Sequence, residues 1–338
     1  MKPRPANMRI VVYSPAFHPM IGGLEEVARI CCQEFHQAGH QLTVITETTL
    51  GDAPELPFPV RRRPGFLETL RLVAGCDVFL EFNISLKGLI FPLLCRKPVV
   101  ISHQSWFSDI RQPPSWRALL KRWASRCVTN IACSQAVKDY LGADATVIPN
   151  AYDDRTFRLM PEVKRECDLL FVGRLVSDKG VGLLVEAVGR LAQEGFHPTL
   201  TITGSGPEEA PLRQQVKRLG LEEQTFFTGA LRGEALAREM NRHRVLVVPS
   251  LWAEPFGIVA LEGIACGCWV IGSEQGGLKD AIGLHGVTFL NGSPEGLFSA
   301  IRKFDGSGLN SVSGAGHLEQ HTARTVAAAY LEVLSHSI

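Results

Sequence analysis

The chain has 338 residues with a net charge of +1 at neutral pH, and 45% of its residues are hydrophobic against 20% charged. This length exceeds what one hydrophobic core usually serves, so two domains are expected. The composition excludes a disordered or fibrous protein, and the near-zero charge gives no reason to expect nucleic acid as a partner. The charge is unevenly distributed along the chain. Residues 1–160 hold 19 Lys and Arg against 14 Asp and Glu, a net charge of +5 in a chain whose total is +1.

The residues from Arg9 onward predict a β-strand, an α-helix and a second strand. RIVVYS is a short β-rich run, a loop rich in Pro and Gly reaches Gly23, and LEEVARICCQEFHQAG is amphipathic before QLTVIT. Glu25 and Glu26 occupy the first helical turn, where the helix dipole favours acid, and Gly39 is placed to end the helix. Later apolar runs at VFLEF, KPVVIS, NIACS and ATVIPN predict a mostly parallel sheet.

A second series of alternating elements begins near Asp168. Strands are predicted at DLLFVG, TLTITG, TFFTG, RVLVVPS and WVIGS, with helices over 178–194 and 207–219 and from Pro255 to Cys266. The whole chain therefore predicts an α/β fold with two Rossmann-like, doubly wound domains.

Targeting and metal-binding signals are weak. The apolar run at residues 10–12 is far shorter than the core of a signal peptide, and no stretch approaches the ~20 apolar residues of a membrane-spanning helix. A cytoplasmic protein, or one held at the inner face of the membrane, is predicted. Nine cysteines without a CxxC pair are expected to be reduced thiols. His36/His40 and His317/His321 have helical spacing but match no zinc motif, so no metal site is predicted.

Two strand ends of the second series carry glycine and positive charge. FVGRLVSDKG places Gly173, Arg174 and Lys179 between a strand and a helix, and TITGSGP places Gly204 and Gly206 after the next strand. Glycine lets backbone N–H groups approach an anion, and an Arg with a Lys can neutralise a diphosphate. Together they predict a nucleotide diphosphate site, although each piece alone is also typical of an ordinary turn or a solvated surface pair.

A third strand end, VVPSLWAEPFGIVALEG, adds two carboxylates. Pro255 suits the first helical position and Glu254 the preceding cap, and Glu262 then lies two turns along on the same face. Such a pair can accept hydrogen bonds from sugar and ribose hydroxyls, while the alternative is an ordinary cap and a surface glutamate. The N–H groups expected to point outward beside Glu254 belong to Phe256, Gly257 and Ile258.

These segments resemble the retaining glycosyltransferases of the GT-B fold, specifically family 4. The residues that carry the resemblance are PMIGGLEEVA, IPNAYDDRTF, FVGRLVSDKG, ITGSGP, FTGALRGEALA and VPSLWAEPFGIVALEGIACGCWVIGSEQGG. The resemblance implies two Rossmann-like domains that face each other across a cleft. It predicts an acceptor-side domain over 1–155, a donor-binding domain over 156–320, and a C-terminal helix over 321–338 that packs back toward the first domain.

For the donor, the resemblance implies that Arg174 and Lys179 bind the diphosphate and stabilise the charge that grows on it. Glu254 would contact sugar hydroxyls beside the N–H groups of Phe256 and Gly257, and Glu262 would hold the ribose.

The resemblance also implies roles for residues outside this group. Gly22 and Gly23 would bring the backbone of the first domain to the phosphates, and the nucleobase would lie near Leu231. His103, in VVISHQSW, matches a histidine that touches the donor sugar and frames the acceptor site. A lone histidine at a strand end is also commonly structural.

The implied reaction needs no essential metal and no cofactor, since the nucleotide diphosphate-sugar is the substrate. The sequence agrees in having no DxD motif, because Asp153 and Asp154 are adjacent. A hexose-type sugar, with UDP expected rather than GDP, would pass to the acceptor with retention of configuration by front-face substitution. Two departures from the family pattern are Gly263, where alanine is usual, and Lys279-Asp280, where Pro-Glu is common.

The segment RQPPSWRALLKRWASR bears on the acceptor. It predicts a helix with Trp116, Leu119, Leu120 and Trp123 on one face and with Arg117, Lys121, Arg122 and Arg126 interleaved; residues 61–63 add a basic run. Such a helix can lie on an anionic membrane surface, which points to a lipid-linked acceptor in lipopolysaccharide or other surface polysaccharide assembly. The alternative is a core-packed helix with a solvated basic face.

Other classes of protein fit less well. A nicotinamide-dependent oxidoreductase needs GxGxxG after its first strand, and IVVYSPAFHPMIGG has none. A nucleotide-sugar epimerase shares the donor site but not the EPFG segment, and a non-catalytic binder would be expected to lack part of the Arg, Lys and Glu set.

Overall fold

The computed structural model describes residues 7–20, 22–108, 113–304 and 315–338. The chain divides into two compact units, Met1–Ala151 with His321–Ile338, and Tyr152–Gln320. The division falls four residues before the predicted boundary. Ile21 of PMIGGLEEVA and the Arg111-Gln112 start of the predicted basic helix lie outside the described residues.

The first unit alternates strands and helices. Its strands are β1 (Arg9–Tyr13), β2 (Gln41–Thr46), β3 (Val60–Arg62), β4 (Val78–Phe82), β5 (Val99–His103), β6 (Thr129–Ala132) and β7 (Thr146–Val147). Its helices are α1 (Gly23–Gln37), α2 (Phe66–Ala74), α3 (Leu86–Leu94), α4 (Trp116–Ser125), α5 (Gln135–Leu141) and, at the C-terminus, α13 (Ala323–His336).

The first sheet is parallel, in the order β3-β2-β1-β4-β5-β6-β7. Val12 of β1 pairs with Val44 on one side and with Leu80 on the other. The strand order therefore reverses between β1 and β4. The connections from β3 to β4, β4 to β5 and β5 to β6 all run in one direction, so right-handed crossovers place α2, α3 and α4 on the same face of the sheet.

Helix α1 shows why the sequence predicts its ends well. Glu25 and Glu26 lie in its first turn. At the other end, Gly39 adopts a left-handed φ of 88°, and the N–H of His40 donates to the carbonyl of Phe35 at 3.2 Å. This is the hydrogen-bond pattern of a glycine-terminated helix, and it depends only on neighbouring residues.

The second unit has the same construction. Its strands are β8 (Cys167–Val172), β9 (Leu200–Thr203), β10 (Thr225–Gly229), β11 (His243–Val248), β12 (Trp269–Ser273) and β13 (Gly286–Phe289). Its helices are α6 (Val181–Gln193), α7 (Glu209–Arg218), α8 (Gly233–Arg242), α9 (Ile258–Ala265), α10 (Leu278–Ile282), α11 (Pro294–Arg302) and α12 (Ala315–Glu319).

The second sheet is parallel in the order β10-β9-β8-β11-β12-β13, with the reversal between β8 and β11. Its core is a continuous apolar cluster that includes Phe171, Leu184 and Val247. Two short strands were not predicted: β3, whose residues read as a basic run, and β13, which follows the last predicted strand.

The C-terminal helix α13 packs against α1 in the first unit. The phenol of Tyr330 is buried and lies 2.6 Å from the Ser102 hydroxyl, and the side-chain amide of Gln104 donates to it at 3.2 Å. These bonds tie α13 to the end of β5.

The predicted helix from Pro255 was wrong at its start. Helix α9 begins at Ile258, after Gly257 with a left-handed φ of 109°. Glu254 is instead extended, in a β-bridge with Gly276, and its carbonyl accepts from the N–H of Gly277 at 2.7 Å. Because that carbonyl is bound by Gly277, 23 residues further along, Glu254 cannot serve as the helix cap.

The predicted helix over 178–194 is also divided. Ser177–Lys179 forms a 3-10 turn, and α6 starts only after Gly180, which has a φ of 69°. None of the nine cysteines forms a disulfide in the structure, and six of them are buried. No helix in the described part of the chain is long and apolar enough to cross a membrane.

Candidate functional site

The predicted glycine loops of the second unit lie side by side at the carboxyl ends of β8, β9 and β10. The N–H of Gly173 donates to the carbonyl of Thr203 at 3.0 Å, and the N–H of Gly204 donates to that of Gly229 at 2.9 Å. Gly204 has a φ of 151°, and a Cβ there would overlap the carbonyl oxygen of Gly173. Gly204 is therefore needed for the close approach of the first two loops, whatever ligand they meet.

Two predicted residues meet at the ends of the central strands. The ammonium of Lys179 lies 2.6 Å from Oε1 of Glu254, which also accepts from the Ser250 hydroxyl at 2.6 Å. The side chains of Lys179 and Glu254 are 21% and 10% exposed. Charges that are partly removed from water interact more strongly than surface pairs. The pair thus fixes an ammonium at the edge of the sheet where ligands of this fold class bind.

Trp252 and Asn291 support this pair, although the sequence pattern had not indicated either residue. Lys179 Nζ lies 5.6 Å from the centre of the Trp252 ring, a cation–π contact. The amide of Asn291 donates to the carbonyls of Ser250 and Trp252 at 3.1 and 3.0 Å, which holds the loop that carries Glu254. The Asn291-Gly292 pair after β13 is a turn signal in the sequence, but only the fold shows what Asn291 contacts.

Most of the other residues predicted to bind the donor lie at strand ends and helix starts of the second unit. Arg174 is exposed, and within the described residues it forms no ion pair, so its guanidinium is available to an anion. Glu262 is half-buried in the second turn of α9; because Glu254 is not helical, the two carboxylates do not share a helix face. Phe256 is buried, and Gly257 and Ile258 mark the start of α9. Leu231 is half-buried after β10.

Gly22 and Gly23 lie at the beginning of α1 in the first unit. Gly22 has extended backbone, with φ 178° and ψ 166°, and no side chain caps the helix. The N-terminal N–H groups of a helix attract anions, so this position suits the predicted phosphate role, which stays a prediction.

His103 lies at the end of β5, in the first unit, and is completely buried. Its Nε2 is 2.9 Å from Oδ1 of Asn130, whose amide donates to the carbonyls of Ser125 and Asp144. The amide oxygen must accept, so Nε2 carries the proton, and Nδ1 is buried without a partner among the described residues. Burial lowers the pKa of His103 to about 4. The imidazole is therefore neutral at neutral pH. In the structure its hydrogen bond is made to Asn130, inside the first unit.

We expect His103 to make stability depend on pH. The pKa of His103 is about 4 in the folded protein and 6.5 in an exposed histidine. Between these two values the unfolded chain binds a proton that the folded chain does not bind. Stability is thus full above pH 6.5 and falls as the pH drops toward 4, by about 2 kcal/mol between pH 7 and 5. Urea denaturation across this range should show the loss in wild type and a correspondingly smaller loss in His103→Gln. Parallel curves would contradict the assignment.

No group of three or more His, Cys, Asp or Glu side chains in the described part of the chain is arranged to hold a metal ion.

Two family models match the chain in succession. Residues 21–156 match Glycosyltransferase Family 4, and residues 156–304 match Glycosyl transferases group 1. The chain belongs to the glycosyltransferase family that these two models describe, one model for each half of the chain. Nothing in these matches supports the alternative of a nucleotide-sugar epimerase.

Curated relatives and solved structures are consistent with the two family models. Glycogen synthase of Mycobacterium tuberculosis is 32% identical over 214 residues, which are 59% of this chain and 50% of that protein. The chain thus spans about half the length of this relative. HepE of Anabaena, solved in complex with UDP, superposes with a TM-score of 0.83 at 19% identity, covering 97% of this chain and 100% of that one. WaaG, a glycosyltransferase involved in lipopolysaccharide biosynthesis, gives 0.68 at 17% identity over 97% of both chains. These structures define the fold as GT-B.

Proposed function

We propose that the protein transfers a hexose-type sugar from a nucleotide diphosphate-sugar, UDP in preference to GDP, to an acceptor hydroxyl. The observation that carries the proposal is the Lys179–Glu254 pair, held at 2.6 Å at the strand ends of the unit that matches the group 1 model. The UDP bound to HepE of Anabaena supports the choice of base.

In the proposed reaction the bond from the anomeric carbon to the diphosphate oxygen breaks, and its electron pair stays on the diphosphate. Lys179 and Arg174 stabilise that growing negative charge, the contribution that usually dominates in such sites. The acceptor oxygen bonds to the same face of the sugar, so configuration is retained, and its proton passes to a diphosphate oxygen. No protein nucleophile and no metal take part.

The carboxylates have a different role in this scheme. Glu254 and Glu262 accept hydrogen bonds from hydroxyl groups of the sugar and the ribose, respectively. When the donor diphosphate binds, Lys179 gains a second anionic partner, and Glu254 keeps the Ser250 hydroxyl as a donor.

The donor is tested by thermal denaturation with UDP, GDP, ADP and their sugar derivatives, with and without EDTA. A ligand at 100 times its dissociation constant stabilises a protein by roughly 2.7 kcal/mol. We expect uridine nucleotides to give the largest shift, insensitive to EDTA and lost in Arg174→Ala. Arg218→Ala, an exposed arginine in the last turn of α7, is the matched control and should behave as wild type. A shift that survives Arg174→Ala, or no shift at all, would overturn the proposal.

We also propose that the first unit contacts an anionic membrane surface and that the acceptor is lipid-linked, as in assembly of lipopolysaccharide or another surface polysaccharide. Helix α4 exposes Trp116, Leu119, Leu120 and Trp123 by 40 to 68%, while Ala118 and Ser125 face inward. The apolar stripe thus points away from the core. Arg117 and Lys121 flank it on one side, and Arg122 and Arg126 flank it on the other, which is the pattern of interfacial helices.

The neighbouring helices extend this apolar surface. Leu67 of α2 and Leu93 and Leu94 of α3 are each more than 60% exposed, on the same face of the sheet as α4. The likeness to WaaG, which is involved in lipopolysaccharide biosynthesis, supports the proposed setting.

Flotation with phosphatidylglycerol vesicles tests the membrane contact. Wild type should float, and Trp116→Ser/Trp123→Ser should not, because the aromatic anchors are lost. The control is Phe196→Ser/Phe226→Ser, which removes two similarly exposed aromatic rings from the second unit and should float as wild type does. Equal flotation of the two double variants, or none by wild type, would contradict the proposal.

A further inference from the structure

A cavity of about 480 Å³ opens in the first unit at the carboxyl ends of β1 and β4. This is where the strand order reverses, the place where open α/β sheets bind ligands. None of the residues proposed to bind the donor lines it. Its lining includes Ala16, Leu24, Asn83, Ser85, Arg117 and Lys121.

The charge of this cavity is positive. Arg117 and Lys121 lie one turn apart on α4 and both line it, and among the described residues none that lines the cavity is acidic. Two like charges at this spacing destabilise a helix. Within the described residues neither cation forms an ion pair, so both charges are available to a ligand.

Glu81 lies near Lys121, but its carboxyl does not cancel the positive charge of the lysine. Its side chain is completely buried, and Oε1 accepts from the N–H of Ser85 at 2.8 Å. Burial raises the pKa of Glu81 well above its ordinary value, against the opposing effect of Lys121. Burial therefore disfavours the charged form of this carboxyl, which weakens its compensation of the Lys121 charge.

The other side of the cavity is apolar and ends at a helix N-terminus. Ala16, Leu24 and Phe82 are among the walls. Helix α3 starts at the rim, where the Ser85 hydroxyl accepts from the N–H of Gly88 at 3.1 Å. The positive end of this helix adds to the attraction for an anion. The cavity thus offers cations on one side and a hydrocarbon-compatible surface on the other.

We propose that this cavity binds a phosphate group of the acceptor, with Arg117 and Lys121 contacting the phosphate oxygens and the adjoining part of the acceptor lying on the apolar walls. The inference rests on the proposed function, because it names the chemical class of the acceptor. Arginine and lysine are the side chains that bind phosphate most strongly, through charge-assisted hydrogen bonds.

Isothermal titration calorimetry on the full chain tests this with two monomeric probes, glycerol 3-phosphate and dihexanoyl phosphatidic acid. Excess UDP is present, so that the donor site does not compete for phosphate. We expect binding to wild type and a loss of affinity of at least about tenfold for each charge removed in Arg117→Gln and Lys121→Gln. Arg71→Gln, an exposed arginine in the last turn of α2 that does not line the cavity, is the control and should keep wild-type affinity.

Tighter binding of dihexanoyl phosphatidic acid than of glycerol 3-phosphate would support the proposal and assign a lipid phosphate; equal binding would support it and assign a soluble phosphate ester. Absence of binding to wild type, or affinity unchanged in the double variant Arg117→Gln/Lys121→Gln, would overturn it. The same titrations on Arg174→Ala/Lys179→Met, without UDP, test the cavity when the donor site is disabled. Failure of the donor proposal and failure of this one are therefore distinguishable.

Discussion

Replacing Lys179 with methionine is expected to lower kcat/KM for sugar transfer by about 10²–10³, the usual effect of removing one preorganised charge donor from a partly buried site. Glu254 holds the ammonium at 2.6 Å, and only about a fifth of the lysine side chain is exposed. Methionine keeps most of the volume of the side chain but removes the charge. UDP release from the nucleotide-sugar measures the rate, and calorimetry measures the affinity for UDP.

Arg190→Met is the control for this substitution. It breaks an ion pair of similar length in the same unit, Arg190–Glu295 at 2.7 Å, whose side chains are 37% and 71% exposed. Exposed ion pairs contribute little to the stability of a protein, so the variant should fold normally and its activity should remain that of wild type. If Lys179→Met retained activity within about threefold of wild type, the ammonium would have no part in catalysis.

Replacing Gly276 with alanine is expected to destabilise the fold by about 3 kcal/mol or more and to weaken nucleotide binding. Gly276 has a φ of 88°, and a Cβ there would overlap the carbonyl oxygen of Glu254, with which it forms a β-bridge. Relief of that overlap requires the main chain of Glu254 to move. Denaturation in urea gives the free energy of unfolding, and calorimetry gives the affinity for UDP.

Gly195→Ala separates the two causes of this loss. Gly195 has nearly the same backbone, with a φ of 83°, but nothing lies within 4 Å of the added Cβ. It should cost only the strain of left-handed backbone, about 1–2 kcal/mol, and leave nucleotide affinity unchanged. Equal effects of the two substitutions would show that the contact with Glu254 has no energetic importance.

Much of the fold was predictable because it depends on neighbouring residues. The two series of β-rich runs, the acidic first turn of α1 and the glycine after it are all confirmed. The short strands β3 and β13 were not, because three or four residues carry too weak a pattern and their pairing is set by β2 and β12.

The site was predicted in its residue types but not in its geometry. Lys179 and Glu254 were both singled out, and the structure brings them together although 75 residues separate them. The extended backbone at Glu254 was missed because Gly276 and Gly277, from a later loop, bind it. His103 was correctly placed at a strand end, but Asn130 of the next strand orients its ring inward.

The sequence by itself determined the alternation of strands and helices, the family, and the strand ends that carry glycine, lysine and glutamate. Only the tertiary structure decided where the side chains point. Periodicity shows which residues share a face but not which face meets the core. For α4, the apolar stripe was compatible with both burial and exposure, and the packing of Ala118 and Ser125 turned it outward. Such choices depend on neighbours that the fold brings from distant parts of the chain.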